Sequence, residues 1–125
     1  MKAPDILFVY GSLQSGQAAN RLLVEQGACY VAPARLAGYA LYDLGSFPGI
    51  RHSPLHAVSG EAWRVPPEAL PALDRYEGEG FLYARRQVEL ELEGQGFHQA
   101  YAYVYLHAPD PGRRVPEERQ PWKAG

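Results

Sequence analysis

The sequence predicts a mixed α/β fold of the α+β kind: a small mixed sheet of about five or more strands, curled toward a barrel, with short flanking helices. Three observations lead there. Five segments read as extended and only two, both short, as helical. Val88, Leu90 and Leu92 alternate with Glu89, Glu91 and Glu93, the period-two pattern of a half-buried strand. The chain has 125 residues, 46% of them hydrophobic, enough for one core, whereas two domains would have only about 60 residues each. Residues 1–125 are therefore expected to form a single domain, with 106–125 as an irregular tail.

The elements follow in order. Asp5 to Tyr10 is a short apolar run suited to a buried strand, and Gly11 to Gly16 breaks it. Ala18 to Gln26 reads as a short helix with Leu22, Leu23 and Val24 as candidate buried positions and Gly27 as its stop. Tyr30 to Leu44 is mostly extended, interrupted by Pro33 and Gly38, with Leu36, Gly38, Ala40, Tyr42 and Leu44 on one parity. Gly45 to Pro54 is rich in Gly, Ser and Pro and reads as a loop.

Val58 to Val65 is a second clear strand, ended by Pro66 and Pro67. A helix is expected from about Pro67 to Tyr76, with Glu68 in its first turn and Pro71 early enough to be tolerated. Residues 82 to 92 form the alternating strand, Gly94-Gln95-Gly96 is a hairpin signal, and Phe97 to Leu106 returns as a strand. After His107 four prolines and the lack of an apolar period predict irregular chain.

Composition removes several function classes. Twelve Lys and Arg against fourteen Asp and Glu give a net charge of -2, unlike a non-specific nucleic-acid binder. The longest strongly apolar run, Ile6 to Tyr10, is far short of the roughly 18 residues a membrane span needs. With no leader pattern at the N-terminus, a soluble, cytoplasmic protein is expected. The one cysteine, Cys29, has no partner for an intramolecular disulfide and is expected to be a small buried hydrophobe or an idle thiol.

Two places carry candidate chemistry. A strand, a Gly-rich turn and a helix start present unpaired backbone N–H groups to one point, which suits an anion. Gly11-x4-Gly16 is followed by Gln17 and Ala18 rather than Lys and Ser/Thr, so it is not a nucleotide P-loop. The turn is equally readable as one that needs glycine for its geometry alone. The other place is Glu77. Leu70, Leu73 and Glu77 fall on one helical stripe, so a carboxylate stands where the pattern calls for an apolar residue. Burial and the negative end of the helix dipole would both raise its pKa toward that of a general base at neutral pH. The competing reading ends the helix one residue early and turns Glu77 to solvent. Glu79 reads as a solvated loop acid.

The remaining candidates are weaker. His52 and His56 have metal-ligand spacing, but Pro54 between them and the lack of a third ligand argue against a metal site. His98 and His107 read as surface residues. Arg85 and Arg86 suit either a substrate carboxylate or a salt bridge, and Tyr101, Tyr103 and Tyr105 either line a pocket or cover a sheet face.

Taken together the residues resemble the gamma-glutamylcyclotransferase-like family. The matching segments are Val9-Tyr10-Gly11-Ser12-Leu13, Leu41 to Gly45 with Phe47-Pro48-Gly49, Val58 to Glu61, Ala72-Leu73-Asp74-Arg75-Tyr76-Glu77-Gly78, Tyr83 to Arg86 with Val88, and Ala102 to Tyr105. They keep the family's order, span roughly residues 5 to 106, and depart at no key position; the Tyr-Gly-Ser-Leu loop together with Leu-Asp-x-x-Glu-Gly is the most specific part. The resemblance implies a small mixed barrel and conversion of a gamma-glutamyl amine or amino acid to 5-oxoproline and the free amine. It implies Glu77 as catalytic base, Tyr10, Gly11, Ser12 and Leu13 as the loop holding the glutamyl group, and Tyr83 as a pocket-lining residue. It further implies a small-molecule substrate and no metal or organic cofactor. A non-catalytic binding module of the same fold is the alternative. The leaving group is left open, with glutathione disfavoured because members with that role are usually longer, and the oligomeric state is not read from the sequence.

Overall fold

Strand β1 (Ile6–Val9) lies at the centre of the architecture, buried on both faces along its whole length. In a computed structural model that describes residues 3–124, the chain then forms helix α1 (Asn20–Glu25), strands β2 (Cys29–Asp43) and β3 (Pro48–Arg64), helix α2 (Leu70–Glu77), strands β4 (Tyr83–Leu92) and β5 (Gly96–Tyr105), and a two-residue strand β6 (Arg114–Val115). Short 3-10 turns precede α2 at Pro67–Ala69 and flank β6 at Pro111–Arg113 and Glu117–Arg119.

The sheet is mixed and closes on itself. β1 pairs antiparallel with β3 and parallel with β5, β5 pairs with β4, β4 with β2, and β2 with β3. These five strands complete a ring, and β6 adds to β2 at Leu41 and Tyr42. Closure removes most of the unpaired strand edge that an open sheet of this size would expose.

Alternation along the strands divides the core in two. Ile6, Phe8 and Tyr10 point to one cluster with Leu36, Leu41, Ile50, Val58, Val88, Leu90 and Leu92. Leu7 and Val9 point to the other, where Leu23 of α1 and Leu73 of α2 pack with Trp63, Tyr83 and Tyr103. The continuous apolar run of residues 6–10 is the mark of a strand with a core on each side.

Several expectations need correction. Residues 48–54 are not loop: Leu44 donates to the Phe47 carbonyl at 2.9 Å, a tight turn that starts β3 at Pro48, opposite Asp43. Hairpin pairing with β2 outweighs the local Gly and Pro content. Register shifts at Tyr30/Ala32 and Ala37/Tyr39 break the predicted parity of β2, so Leu36 and Leu41 both face the core. α1 is shorter than expected because residues 11–19 run through successive turns, and Val24 is exposed. Cys29 is an exposed free thiol, which overturns the buried alternative of its two readings. The chain after residue 106 is largely irregular, yet Trp122 is buried in the first cluster, so this segment packs as part of the barrel.

Candidate active site

Helix α2 delivers Glu77 to the sheet edge. Pro67 starts the preceding turn with Glu68 beside it, and Pro71 sits in the first turn of α2, where an N–H would lack a partner anyway. Leu73 is fully buried and fixes the helix face. Gly78 then adopts φ +64°, and the N–H groups of Gly78 and Glu79 donate back to Arg75 and Asp74 at 3.2 and 2.9 Å. This left-handed cap stops the helix immediately after Glu77, so the helix includes Glu77 rather than ending before it.

Glu77 lines a cleft with Tyr10, Gly11, Ser12, Leu13, Phe47, Pro48, Tyr83 and Tyr103. The volume of this cleft is only about 30 Å³, room for about two waters. Burial pushes the Glu77 carboxyl up to about 7. Its place at the negative end of α2 acts in the same direction.

The tyrosine hydroxyls in the cleft are already engaged. Tyr10 donates to the Tyr103 carbonyl and Tyr83 to the Pro48 carbonyl, each at 2.5 Å. Burial raises both phenols further above their ordinary range, and the nearby Glu77 adds to the effect. They therefore stay protonated at neutral pH, which leaves Glu77 as the lining group able to exchange a proton there.

A second set of bonds holds α2 against the sheet. Tyr103 donates to Asp74 Oδ1 at 2.6 Å, and Arg85 donates to the same carboxylate through Nε at 2.9 Å and through its terminal nitrogen at 3.2 Å. Burial would raise the Asp74 pKa, but the hydrogen bonds from Arg85 and Tyr103 outweigh it and hold the group below its ordinary value. The Arg85 guanidinium also lies over the Tyr101 ring, 4.5 Å from its centroid. Arg85 is thus a structural partner of Asp74, one turn before Glu77, and not an open carboxylate binder.

Across the cleft, the loop after β1 exposes backbone donors. Among the described residues no acceptor engages the N–H of Gly11, Ser12 or Leu13, while the carbonyls of Gly11, Ser12 and Leu13 accept from Gln14, Ala19 and Asn20. A Cβ at Gly11 would stand 2.9 Å from Cγ of Pro48, so only glycine allows this approach of loop and cleft wall. Ser12 Oγ is 2.7 Å from Tyr76 Oη, linking the loop to α2 directly.

The structure thus brings Tyr10, Gly11, Ser12, Leu13, Glu77 and Tyr83 to one cleft. Glu79 is exposed and accepts from the Arg85 backbone at 3.3 Å. His52 and His56 lie on β3, with Ser53 Oγ 2.6 Å from His56 Nδ1, and no group of three potential metal ligands occurs among the described residues. Of the tyrosine row, Tyr103 lines the cleft while Tyr101 and Tyr105 pack around the second cluster. Phe47 and Pro48, quoted in the resemblance without a role, prove to be cleft wall. The roles of Asp74 and Gln14 were not legible, because their partners lie 11 and 108 residues away in sequence.

A larger open hollow of about 590 Å³ lies elsewhere on the barrel, with Arg35, Glu61, Glu91 and Glu93 in its lining. Its size does not make it the better site. Glu61 already accepts from the Ser15 N–H and from Trp63, Arg35 pairs with Glu117, and Glu91 and Glu93 are exposed.

A closed five-stranded mixed barrel with an acid-ended helix facing a glycine turn defines a small α+β protein with a single-carboxylate cleft. The sequence model of the family described as gamma-glutamyl cyclotransferase, AIG2-like, matches residues 7–124, and the chain belongs to that family. It is similar to a Vibrio cholerae serotype O1 protein with a provisional gamma-glutamylcyclotransferase name, 32% identical over 107 residues, 80% of this chain and 81% of that one. Escherichia coli K12 has a gamma-glutamylcyclotransferase family protein, YtfP, 30% identical over 83% of this chain and 85% of its own. The mouse AIG2-like protein has the same fold, with a TM-score of 0.75 at 22% identity over 93% of this chain and 98% of that one.

Proposed function

We propose that the protein is a gamma-glutamyl cyclotransferase that releases 5-oxoproline from a small gamma-glutamyl amine or amino acid, with Glu77 as general acid and base. The observation that carries this reading is the pairing, on one cleft, of a carboxyl group titrating near 7 with three open backbone N–H groups. Family membership supports the reaction class.

The chemistry follows from these parts. The N–H groups of Gly11 to Leu13 hold an oxyanion or the alpha-carboxylate, and Glu77 takes a proton from the alpha-ammonium group. The freed amine attacks the substrate's own gamma-carbonyl carbon, closing a five-membered ring. Intramolecular attack removes the entropic cost of bringing two reactants together, so holding the bent substrate accounts for much of the catalysis. The ring C–N bond forms, Glu77 returns the proton to the leaving nitrogen as the bond to the leaving amine breaks, and the ring nitrogen gives up its second proton to the freed amine or to water. No electrons are transferred and no external nucleophile is consumed. Ser12 has no partner base; its hydroxyl is tied to Tyr76, so a covalent route through it is not part of the mechanism.

The test is a panel of gamma-glutamyl amines and amino acids assayed for 5-oxoproline. Release from at least one member, lost in Glu77→Gln, is the expected result. Ligand-induced stabilisation without product from any member would instead identify a binding module.

A further inference from the structure

The open N–H groups of residues 11–13 are held in place from behind. Gln14 is a buried amide, 4% exposed. Its Nε2 donates to the Gly11 carbonyl at 3.1 Å and to the Trp122 carbonyl at 2.9 Å. The Gly11 carbonyl also accepts from the Gln14 backbone N–H at 3.1 Å. Trp122 is itself buried in the barrel cluster, so its carbonyl is a fixed anchor rather than a swinging one.

A peptide unit is planar and trans, with its N–H pointing opposite to its C=O. The carbonyl of Gly11 and the N–H of Ser12 belong to the same unit. Two donors from Gln14 on that carbonyl therefore aim the Ser12 N–H away from Gln14, and Gly11 and Ser12 line the cleft while Gln14 does not. We infer that Gln14, anchored on Trp122, is a positioning residue that sets the orientation of the anion-holding turn, and that the segment after β6 belongs to the site through this clamp. The inference rests on the proposal that this turn holds the alpha-carboxylate.

The Gln14→Met variant keeps length and burial but removes both Nε2 hydrogen bonds, to Gly11 and to Trp122, and leaves the backbone N–H bond to the Gly11 carbonyl in place. Binding of 5-oxoproline and of 2-pyrrolidinone, which lacks the carboxylate, is measured by calorimetry on the wild-type protein and the variant, with melting temperature as a control for folding. The expected result is about tenfold weaker binding of 5-oxoproline in the variant, the usual effect of one lost hydrogen-bond constraint, with 2-pyrrolidinone unchanged. With a turned-over substrate, KM should rise by a similar factor while kcat is retained, since the carboxylate contacts ground state and transition state alike. If Gln14→Met does not fold, Gln14→Asn keeps the amide one methylene short of its two acceptors and should show the same selective loss. A folded variant that weakens both ligands equally, or neither, overturns the inference. Failure of the wild-type protein to distinguish the two ligands overturns instead the assignment of the turn as the carboxylate holder.

Discussion

Ser12 Oγ and Tyr76 Oη meet at 2.7 Å, although they are 64 residues apart, and this contact joins the turn after β1 to the helix residue next to Glu77. It fixes the distance between the donor side and the acid side of the cleft. Because the pair is solvent-exposed, its contribution is small and local. Ser12→Ala and Tyr76→Phe should each reduce turnover less than about tenfold, and the double variant should be no worse than either single one. Additive losses in that double-mutant cycle would show that the two hydroxyls act separately.

Glu77→Gln should preserve the fold and ligand affinity while lowering turnover by about two to four orders of magnitude, the usual contribution of a positioned acid-base group. Glu79→Gln should be mild, as Glu79 is exposed and outside the cleft lining. Steady-state kinetics on the two variants checks this, and similar losses in both would remove Glu77 from its role.

The raised pKa of Glu77 also predicts two opposite pH trends. Turnover should rise with pH through about 7, as the carboxyl becomes the base. Folding stability should run the other way. A carboxyl whose folded pKa lies above its unfolded value favours folding fully below the unfolded value of about 4.5, and the advantage is lost as pH rises through about 7. Glu77→Gln should flatten that part of the stability curve and melt higher than the wild type at pH 8. Thermal melts between pH 4 and 8 measure it; parallel curves for the two proteins would contradict the burial of the charge.

Gly11→Val should abolish binding of compounds that carry the alpha-carboxylate, because its side chain meets the Pro48 ring at the cleft wall and Pro48 in turn accepts the Tyr83 hydroxyl. Circular dichroism should show the barrel retained. Undiminished 5-oxoproline binding by this variant would place the carboxylate elsewhere.

Gly60 on β3 lies where a Cβ would collide with the Val9 carbonyl oxygen and the Phe8 ring. Gly60→Ala should therefore destabilise the β1–β3 seam by at least about 2 kcal/mol, the range expected for overpacking against backbone. Urea denaturation reports it; a loss of less than half that size would mean that β1 shifts freely, contrary to its burial on both faces.

Much of the fold was legible because it is written in short-range patterns. The run from Ile6 to Tyr10, the Val88–Leu90–Leu92 alternation, the turn at Gly94 and the Pro67 helix start all depend on neighbours within a few residues. Residues 48–52 were misread because Gly and Pro signal turns locally, while their strand geometry comes from pairing with residues 39–43 across a tight turn. Leu41 faces the core against the predicted parity because a register shift between Ala37 and Tyr39 exchanges the two faces, and local alternation cannot reveal such a shift.

The candidate site divides in the same way. By itself the sequence determined that a carboxylate falls in register with a helix's apolar stripe and that a glycine turn follows the first strand, since helical period and turn chemistry are local properties; that the helix runs through Glu77 was decided by the structure. Only the tertiary structure decided that these two features share one cleft, that Tyr10 and Tyr83 have their hydroxyls engaged on backbone carbonyls, and that Arg85 is occupied by Asp74. It also decided that Trp122, in a segment with no apolar period, enters the barrel and anchors Gln14. The physical reason is that closure of the ring joins residues far apart in the chain. Burial, and with it the raised pKa of Glu77, exists only once that ring has closed.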